Sequence, residues 1–414
     1  MPDRMPIYVG DQAIEEFISF CQRKKYDKFL VVADDNTYKA LGGRVLHSLQ
    51  QAGWDVQLAL LHAQGLHADS HAISRVLAVY DGSPRVFVAV GSGTITDIVR
   101  FISHRSRNEF VAFPSAASVD AYTSHNAAIS IADFKTSVLC QTPIAIFTDL
   151  ATVVASPRRL TASGIADLLG KFTSAADWKM SHMIWEAEFD KTIFLRVLEN
   201  ARRTTRELEK FQYVSAQSMA ALMECHFESG FCMADFGNSA PASGGEHHIA
   251  HVWEMIAHLE GKPGWLHGEA VGVATIIEAG WYDRLRITKK DNAYALLQRA
   301  NLPDKQTQEE SLRRSLPLIA EKLINSNPIL LRLVDASLLE VVKERILDNW
   351  IEIQAIAESV PPVSQIRAWL SQIGAPVDPV DLKMDQDQVR LGTAFGPYMR
   401  DRFSINILRL LLGW

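Results

Sequence analysis

The chain has 414 residues, 48% of them hydrophobic and 22% charged, an ordinary globular composition whose length fits two or three domains with a sizeable core. A net charge of -6, with Lys and Arg scattered rather than gathered in a stripe, gives no electrostatic footprint for nucleic acid, so small substrates are expected. No run approaches the roughly 20 apolar residues a membrane span needs, and the start "MPDRMPIYVG" lacks the succession of an export signal, so a cytoplasmic location is expected.

Five β-rich runs follow one another before residue 150: "KFLVVADD" (28–35), "DVQLALL" (55–61), "RVFVAVG" (85–91), "FVAFPS" (110–115) and "PIAIFTD" (143–149). Runs apolar on both faces, separated by amphipathic helices such as "TYKALGGRVLHSLQQAG", predict a parallel sheet covered on both sides. The first run ends in Asp34, Asp35 and Asn36, which offer acceptors for a ribose hydroxyl but also end strands for purely conformational reasons. His62, His67 and His71 in "LHAQGLHADSHAIS" have no second carboxylate-bearing element beside them and are set aside. In "RVFVAVGSGTITDIVRFISH" a buried strand runs through Gly91, Ser92, Gly93 and Thr94 into a helix, half of a dinucleotide fingerprint; Thr96 stands where a third glycine would. Asp97 reads as a favourable charge in the first turns. The next junction, "FPSAASVDAYTS", gathers Ser115, Ser118, Thr123 and Ser124 around Asp120. Two such strand-end loops can line one nucleotide crevice.

After "ASPRRLTASG" (155–164) the strand signal disappears, and apolar residues recur at three and four residue steps. Pro157 marks the expected boundary between an α/β domain over 1–155 and a helical domain over 156–414. Here "GIADLLGKFT" places Asp167 and Lys171 on one helix face. If 246–258 is helical, His247 and His251 of "GGEHHIAHVWEM" share a face at an i,i+4 step, while His248 points a quarter turn away. "WLHGEAVGVATII" adds His267. Two imidazoles and a carboxylate make three protein ligands with positions left open, as in a catalytic metal site. Cys225, His226 and Cys232 in "MECHFESGFC" do not have zinc-ligand spacing and are expected to pack a helix end. The other cysteines, Cys21 and Cys140, complete a set with no CxxC pairing, and all four are expected to be buried thiols. In the terminal "MRDRFSINILRLLLGW", Arg400 and Arg402 could reach a phosphate, with surface salt bridging as the default reading.

Taken together, "AVGSGTITDIVRF", "FPSAASVDAYTS", "SGIADLLGKFTSAADW", "PASGGEHHIAHVWEM" and "LHGEAVGVAT", five motifs in order, resemble the sn-glycerol-1-phosphate dehydrogenases, in particular the bacterial AraM-like branch of the iron-dependent alcohol dehydrogenase and dehydroquinate synthase superfamily. The resemblance runs from about residue 8 to "RDRFSIN". It implies a dehydroquinate synthase-like fold: an N-terminal α/β Rossmann-like domain that binds NAD(P), an all-α C-terminal domain that carries one divalent metal ion (Zn, Ni or Fe), and catalysis between them. Carried residue by residue, it makes Gly91, Ser92, Gly93 and Thr94 the pyrophosphate loop and Ser115, Ser118 and Ser124 further dinucleotide contacts. Asp120 matches a substrate-contacting position. Asp167, His247 and His267 match the metal ligands, with His248 as the alternative register, and His251 matches a substrate contact. On chemical grounds Lys171, His251 and Arg400 or Arg402 are candidates for phosphate contact or proton relay. Ser92, Ser115 and Arg100 depart from residues common in relatives, and Arg100 receives no role.

The expected reaction is reversible hydride transfer between NAD(P)H and dihydroxyacetone phosphate, giving sn-glycerol 1-phosphate. Expected partners are that small phosphorylated substrate and further copies of the chain, as a homodimer or larger homo-oligomer, with no nucleic acid and no membrane. Dehydroquinate synthase chemistry would need a cluster of basic groups, whereas a glycerol or simple alcohol dehydrogenase would need no phosphate anchor. A silent nucleotide-binding protein that kept the fold would have no use for Asp167, His247 and His267.

Overall fold

The computed structural model describes residues 5–131, 134–262 and 264–414. They form two compact units. One comprises Met1–Ile165 with Arg206–Asn238, and the other Ala166–Thr205 with Ser239–Trp414. The helical segment Arg206–Asn238 thus packs with the sheet-bearing unit although it lies far beyond it in sequence.

The first unit is built on a six-stranded parallel sheet. Its strands are β1 (Ile7–Gly10), β2 (Lys28–Asp34), β3 (Asp55–Leu61), β4 (Val86–Gly91), β5 (Phe110–Pro114) and β8 (Ala145–Asp149), in the spatial order β1-β8-β5-β4-β2-β3. The five continuous apolar runs form β2, β3, β4, β5 and β8. Every residue of β4 and of β5 is buried, as a strand covered on both faces requires. The sequence reading passes over β1, whose four residues pair with β8 at the sheet edge. It also passes over an antiparallel pair, β6 (Asn126–Ile131) and β7 (Phe134–Leu139); residues 132 and 133 between them lie outside the described residues. One face of the sheet packs on a core that includes Phe17, Phe29, Val31, Val88, Phe113 and Phe147. The rings of Phe17 and Phe113 meet edge to face, with centroids 5.1 Å apart.

Chain order reverses between β2 and β4: the chain leaves β2 outward to β3, then returns to the other side of β2. In an open parallel sheet such a reversal opens a crevice beyond the carboxyl ends of the two strands. Asp34 ends β2, Gly91 ends β4, and Pro114, the partner of Gly91 across the ladder, ends β5. The three candidate cofactor segments therefore leave neighbouring strands at one edge.

The second unit is helical throughout. Its framework for the site is α2 (Arg158–Leu169, entering from the first unit), α3 (Lys171–Trp185), α5 (Gly245–Leu259) and α6 (His267–Ile287). Counted along the chain, α1 is Gly93–Arg105 and α4 is Ala216–Phe236, both in the first unit. Ile249, Ala250 and Trp253 of α5 pack on Ala270, Val271, Val273 and Ala274 of α6, which fixes the rotation of α5 and so the direction of its histidines. Among the described residues no helix is long and apolar enough to cross a membrane. All four cysteines are buried, and none of them forms a disulfide.

Candidate metal and dinucleotide sites

The nucleotide-facing loops follow from the sheet. Thr96 N–H is the first to bond back along α1, to Ser92 O at 3.0 Å, so the N–H groups of Gly93, Thr94 and Ile95 at the helix start have no helical acceptor and remain donors for an anion. A Cβ at Gly91 would lie 2.6 Å from Ile95 Cβ, so that glycine is required by the strand-to-helix turn itself. At Gly93 a Cβ would come 3.0 Å from Val119 Cγ2, which ties this position to the Ser115–Ser124 loop. A Gly93→Val chain is therefore expected to bind NADH at least about tenfold more weakly, with metal content intact. Equilibrium titration beside elemental analysis checks this, and unchanged affinity in a folded variant contradicts it.

In the second loop, Ser115, Ser118, Asp120, Thr123 and Ser124 are all buried. Thr123 donates to Phe227 O (2.8 Å), Ser124 Oγ accepts from Asn126 N–H (3.0 Å), and Ser229 of α4 donates to Asp120 Oδ2 (2.7 Å). Asp120 is thereby fixed from outside its own loop. Asp34 caps the short turn after β2, its Oδ1 accepting from Asn36 N–H (2.8 Å) and Thr37 N–H (3.0 Å), so a large part of that carboxylate serves local conformation.

Arg100 has a structural task that the sequence did not reveal. Its side chain is fully buried. Nη1 donates to Asp97 Oδ1 (2.8 Å) and Asn126 O (2.9 Å), and Nη2 donates to Ala121 O (2.8 Å) and Tyr122 O (3.0 Å). One guanidinium thus satisfies three carbonyls of the segment that carries Asp120, and Asp97 supplies its counter-charge.

In the second unit, Asp167, His247 and His267 converge, each offering a ligand atom, with all three atoms within 4.8 Å of one another. Asp167 is fully buried at the end of α2. Lys171 Nζ donates to its Oδ1 (2.9 Å) and also to Ala242 O (2.9 Å), and His247 Nε2 stands 3.4 Å from the same oxygen. Burial alone would raise the Asp167 carboxyl, but the Lys171 ammonium and the two imidazoles hold it well below its usual range, so it is a carboxylate. Each imidazole is oriented by its own acid: His247 Nδ1 lies 2.6 Å from Glu246 Oε1, and His267 Nδ1 lies 2.7 Å from Glu254 Oε1. With Nδ1 engaged, Nε2 is left as the ligating nitrogen, the pattern of carboxylate-supported metal histidines. One carboxylate and two such imidazoles fit a divalent cation with an open position. They do not choose between zinc, nickel and iron.

His251 stands beside this group, its ring stacked on His267 with centroids 5.5 Å apart and 6.0 Å from the ring of His247. His248 belongs to none of the ligand groups found among the described residues. It is buried, and its Nε2 has no hydrogen-bond partner. Glu246 and Glu254 were missed by spacing arguments for different reasons. Glu254 falls seven residues after His247 on the same face and was open to detection, whereas an adjacent residue such as Glu246 is not expected to face its neighbour on a helix.

Behind His247 lies a second acidic group that spacing did not suggest: Asp177, Glu246 and Glu278, all buried. Asp177 accepts from Gly245 N–H (2.8 Å), Tyr282 OH (2.6 Å) and Ile405 N–H (2.7 Å). Glu246 accepts from Gly244 N–H (2.9 Å) and Thr173 OH (3.1 Å), while neither oxygen of Glu278 meets a donor. A Cβ at Gly245 would sit 2.0 Å from Glu278 Oε1, so the start of α5 is glycine because carboxyl groups crowd it. Burial first, and the Glu246 charge second, push Asp177 up to about 7. Burial with the charges of Asp177 and Glu246 holds Glu278 well above its usual range.

Other sequence candidates fall elsewhere. His62 is exposed beside Asp35, at 3.3 Å. Cys225, His226 and Cys232 lie within the 21-residue α4 rather than at its end, because the helix runs unbroken from a Ser215 capping box to Gly237. Arg400 and Arg402, by default expected in salt bridges, have no carboxylate within 4.0 Å among the described residues.

The iron-containing alcohol dehydrogenase family model matches residues 8–157. A glycerol-1-phosphate dehydrogenase [NAD(P)+] from Halalkalibacterium halodurans is 35% identical over 279 residues, 67% of this chain and 70% of that protein. One from Geobacillus thermodenitrificans is 29% identical over 382 residues, 92% of this chain and 85% of that protein. The solved structure of an alcohol dehydrogenase from Oenococcus oeni superposes over 99% of this chain and 98% of that one with a TM-score of 0.62 at 14% identity, a likeness of fold.

Proposed function

Since the chain belongs to the glycerol-1-phosphate dehydrogenase family, an NAD(P)-dependent oxidoreductase class, we propose that its reaction is the metal-dependent reduction of dihydroxyacetone phosphate at C2 to sn-glycerol 1-phosphate. The observation that carries this reading is the convergence of Asp167, His247 and His267, with both imidazoles oriented by carboxylates. In this proposal residues 1–155 bind the dinucleotide through Gly91–Thr94 and the Ser115–Ser124 loop, and 156–414 carry the metal and substrate groups.

A divalent cation held by Asp167, His247 and His267 would supply Lewis-acid polarisation of the carbonyl oxygen. A reduced nicotinamide, when bound, would supply the hydride for C2, and a proton on the oxygen would complete the alcohol. His251, one turn from His247 on the same face, is the proposed proton donor to that oxygen. Lys171 keeps Asp167 ionised and fixes its orientation through the second bond to Ala242. Asp120, held by Ser229, is assigned to a substrate hydroxyl. Remote phosphate contacts place the ketone, so loss of the phosphate lowers turnover as well as binding.

The test follows NADH and NADPH oxidation with dihydroxyacetone phosphate, dihydroxyacetone and no ketone, each after reloading with zinc, nickel or iron. Efficiency on the phosphorylated ketone is expected to exceed that on dihydroxyacetone by at least about a hundredfold. Comparable efficiency on the two, or formation of the sn-3 enantiomer, overturns the assignment.

A further inference from the structure

Two arginines near the chain terminus have no carboxylate within 4.0 Å among the described residues. Arg402 is anchored on the segment leading into α5, where Nη1 donates to Ser243 O (2.7 Å) and Nη2 to Ser239 Oγ (3.1 Å). Arg400 Nη1 donates to Met399 O (3.1 Å). Asp401, between them in sequence, bonds instead with Arg332. The acid whose charge acts on Arg402 is Glu246, but its oxygens are taken by Gly244 N–H, Thr173 OH and His247. Protein crowds both guanidinium groups, yet both residues keep part of their surface open. Burial lowers Arg400, and burial with the charge of Arg400 lowers Arg402 to about 9; a guanidinium is basic enough to stay cationic at neutral pH. His248 lies within the field of the pair, and its buried Nε2 has no partner.

Each guanidinium spends few of its five N–H donors on the protein, and the planar fork matches phosphate oxygens in pairs. Two fixed cations also match a dianion better than the single charge of a carboxylate. Position adds a further argument: the Ser239–Ser243 segment gripped by Arg402 leads directly into the helix that bears His247 and His251. We infer that Arg400 and Arg402 form an anion subsite on the helical unit that takes the phosphate monoester of the ketone substrate. This rests on the reaction proposed above. The same chemistry would also suit a phosphate of the dinucleotide, so the test separates the two sources.

Metal-replete protein is titrated calorimetrically with inorganic phosphate, comparing wild type with Arg400→Gln, Arg402→Gln and Arg402→Lys. Saturable binding in wild type is expected to weaken at least about tenfold in each glutamine variant and to return in part with lysine. The glutamine variants are also expected to raise KM for dihydroxyacetone phosphate at least about tenfold while NADH and NADPH dissociation constants stay within about twofold. Unchanged phosphate affinity in variants with wild-type melting temperature and metal content overturns the subsite, as does a loss that falls on the dinucleotide instead of the ketone. Should Arg402→Gln lose metal or fail to fold through its hold on Ser243, Arg400→Gln decides alone, because that guanidinium bonds only the carbonyl of Met399. Arginine-dependent phosphate binding without turnover of dihydroxyacetone phosphate would sink the proposed reaction and keep the subsite. Turnover with a KM indifferent to both arginines would do the reverse.

Discussion

Replacing Asp167, His247 or His267 by alanine is expected to strip the protein of bound metal and to lower kcat/KM at least about a thousandfold, or about 4 kcal/mol. The size follows from the number of ligands: with three protein donors, loss of one leaves a two-point site that cannot hold the cation at working concentrations. Asp167→Ala also strands the Lys171 ammonium in a fully buried position, so it should be the least stable of the three. Removing the orienting acids is milder. Glu254→Ala frees His267 to turn and should weaken metal about 10- to 100-fold. His248→Ala is the register control and should keep its metal. Elemental analysis of the five alanine variants decides, and metal lost from His248→Ala but kept by His247→Ala would show the ligand lies one residue further on.

Arg100→Leu is expected to destabilise the first unit by about 3–5 kcal/mol, the range for breaking a buried ion pair. The deletion leaves Asp97 without its partner and the carbonyls of Ala121, Tyr122 and Asn126 without a donor. Leucine fills part of the volume but satisfies none of these acceptors. Lysine should recover only a portion, since one ammonium cannot reach both pairs of acceptors that the fork spans. Chemical denaturation of the three proteins checks the order wild type, Arg100→Lys, Arg100→Leu. A leucine variant within about 1 kcal/mol of wild type would mean that the loop finds other donors. Because Asp120 sits in the anchored loop, the same variants should also bind substrate more weakly.

What could be read from the sequence divides along physical lines. Strands β2, β4, β5 and β8 announced themselves because both faces are buried, which produces continuous apolar runs, whereas β3 showed as a run although it is an edge strand with two of its seven residues buried. The edge strand β1 is too short to show such a run, and the β6–β7 pair alternates small and polar residues that also suit loops. The histidine ligands were legible through helical spacing, and their choice over His248 leaned on family resemblance. Arg100 was not legible, since apart from Asp97 its partners are backbone atoms of a loop whose path no side-chain pattern reveals. Glu278 was hidden for the opposite reason: an acid on a long helix reads as solvent-facing, and only the packing around Gly245 exposes it as an interior group.

That interior group makes folding a reaction that consumes protons. Asp177 and Glu278 leave the unfolded chain as ordinary carboxylates at neutral pH, and they enter an environment that raises both affinities for hydrogen ions, Asp177 to about 7. The folded state then binds more protons than the unfolded one, so the linkage has a negative sign: this contribution is fully present below the ordinary carboxyl range and drains away as pH climbs through about 7. The metal-free protein should therefore hold together best on the acid side of neutrality, and its unfolding should release hydrogen ions that a weakly buffered calorimeter can register as buffer-dependent heat. Mild alkali would loosen the start of α5, where Gly245 crowds against Glu278, and with it His247.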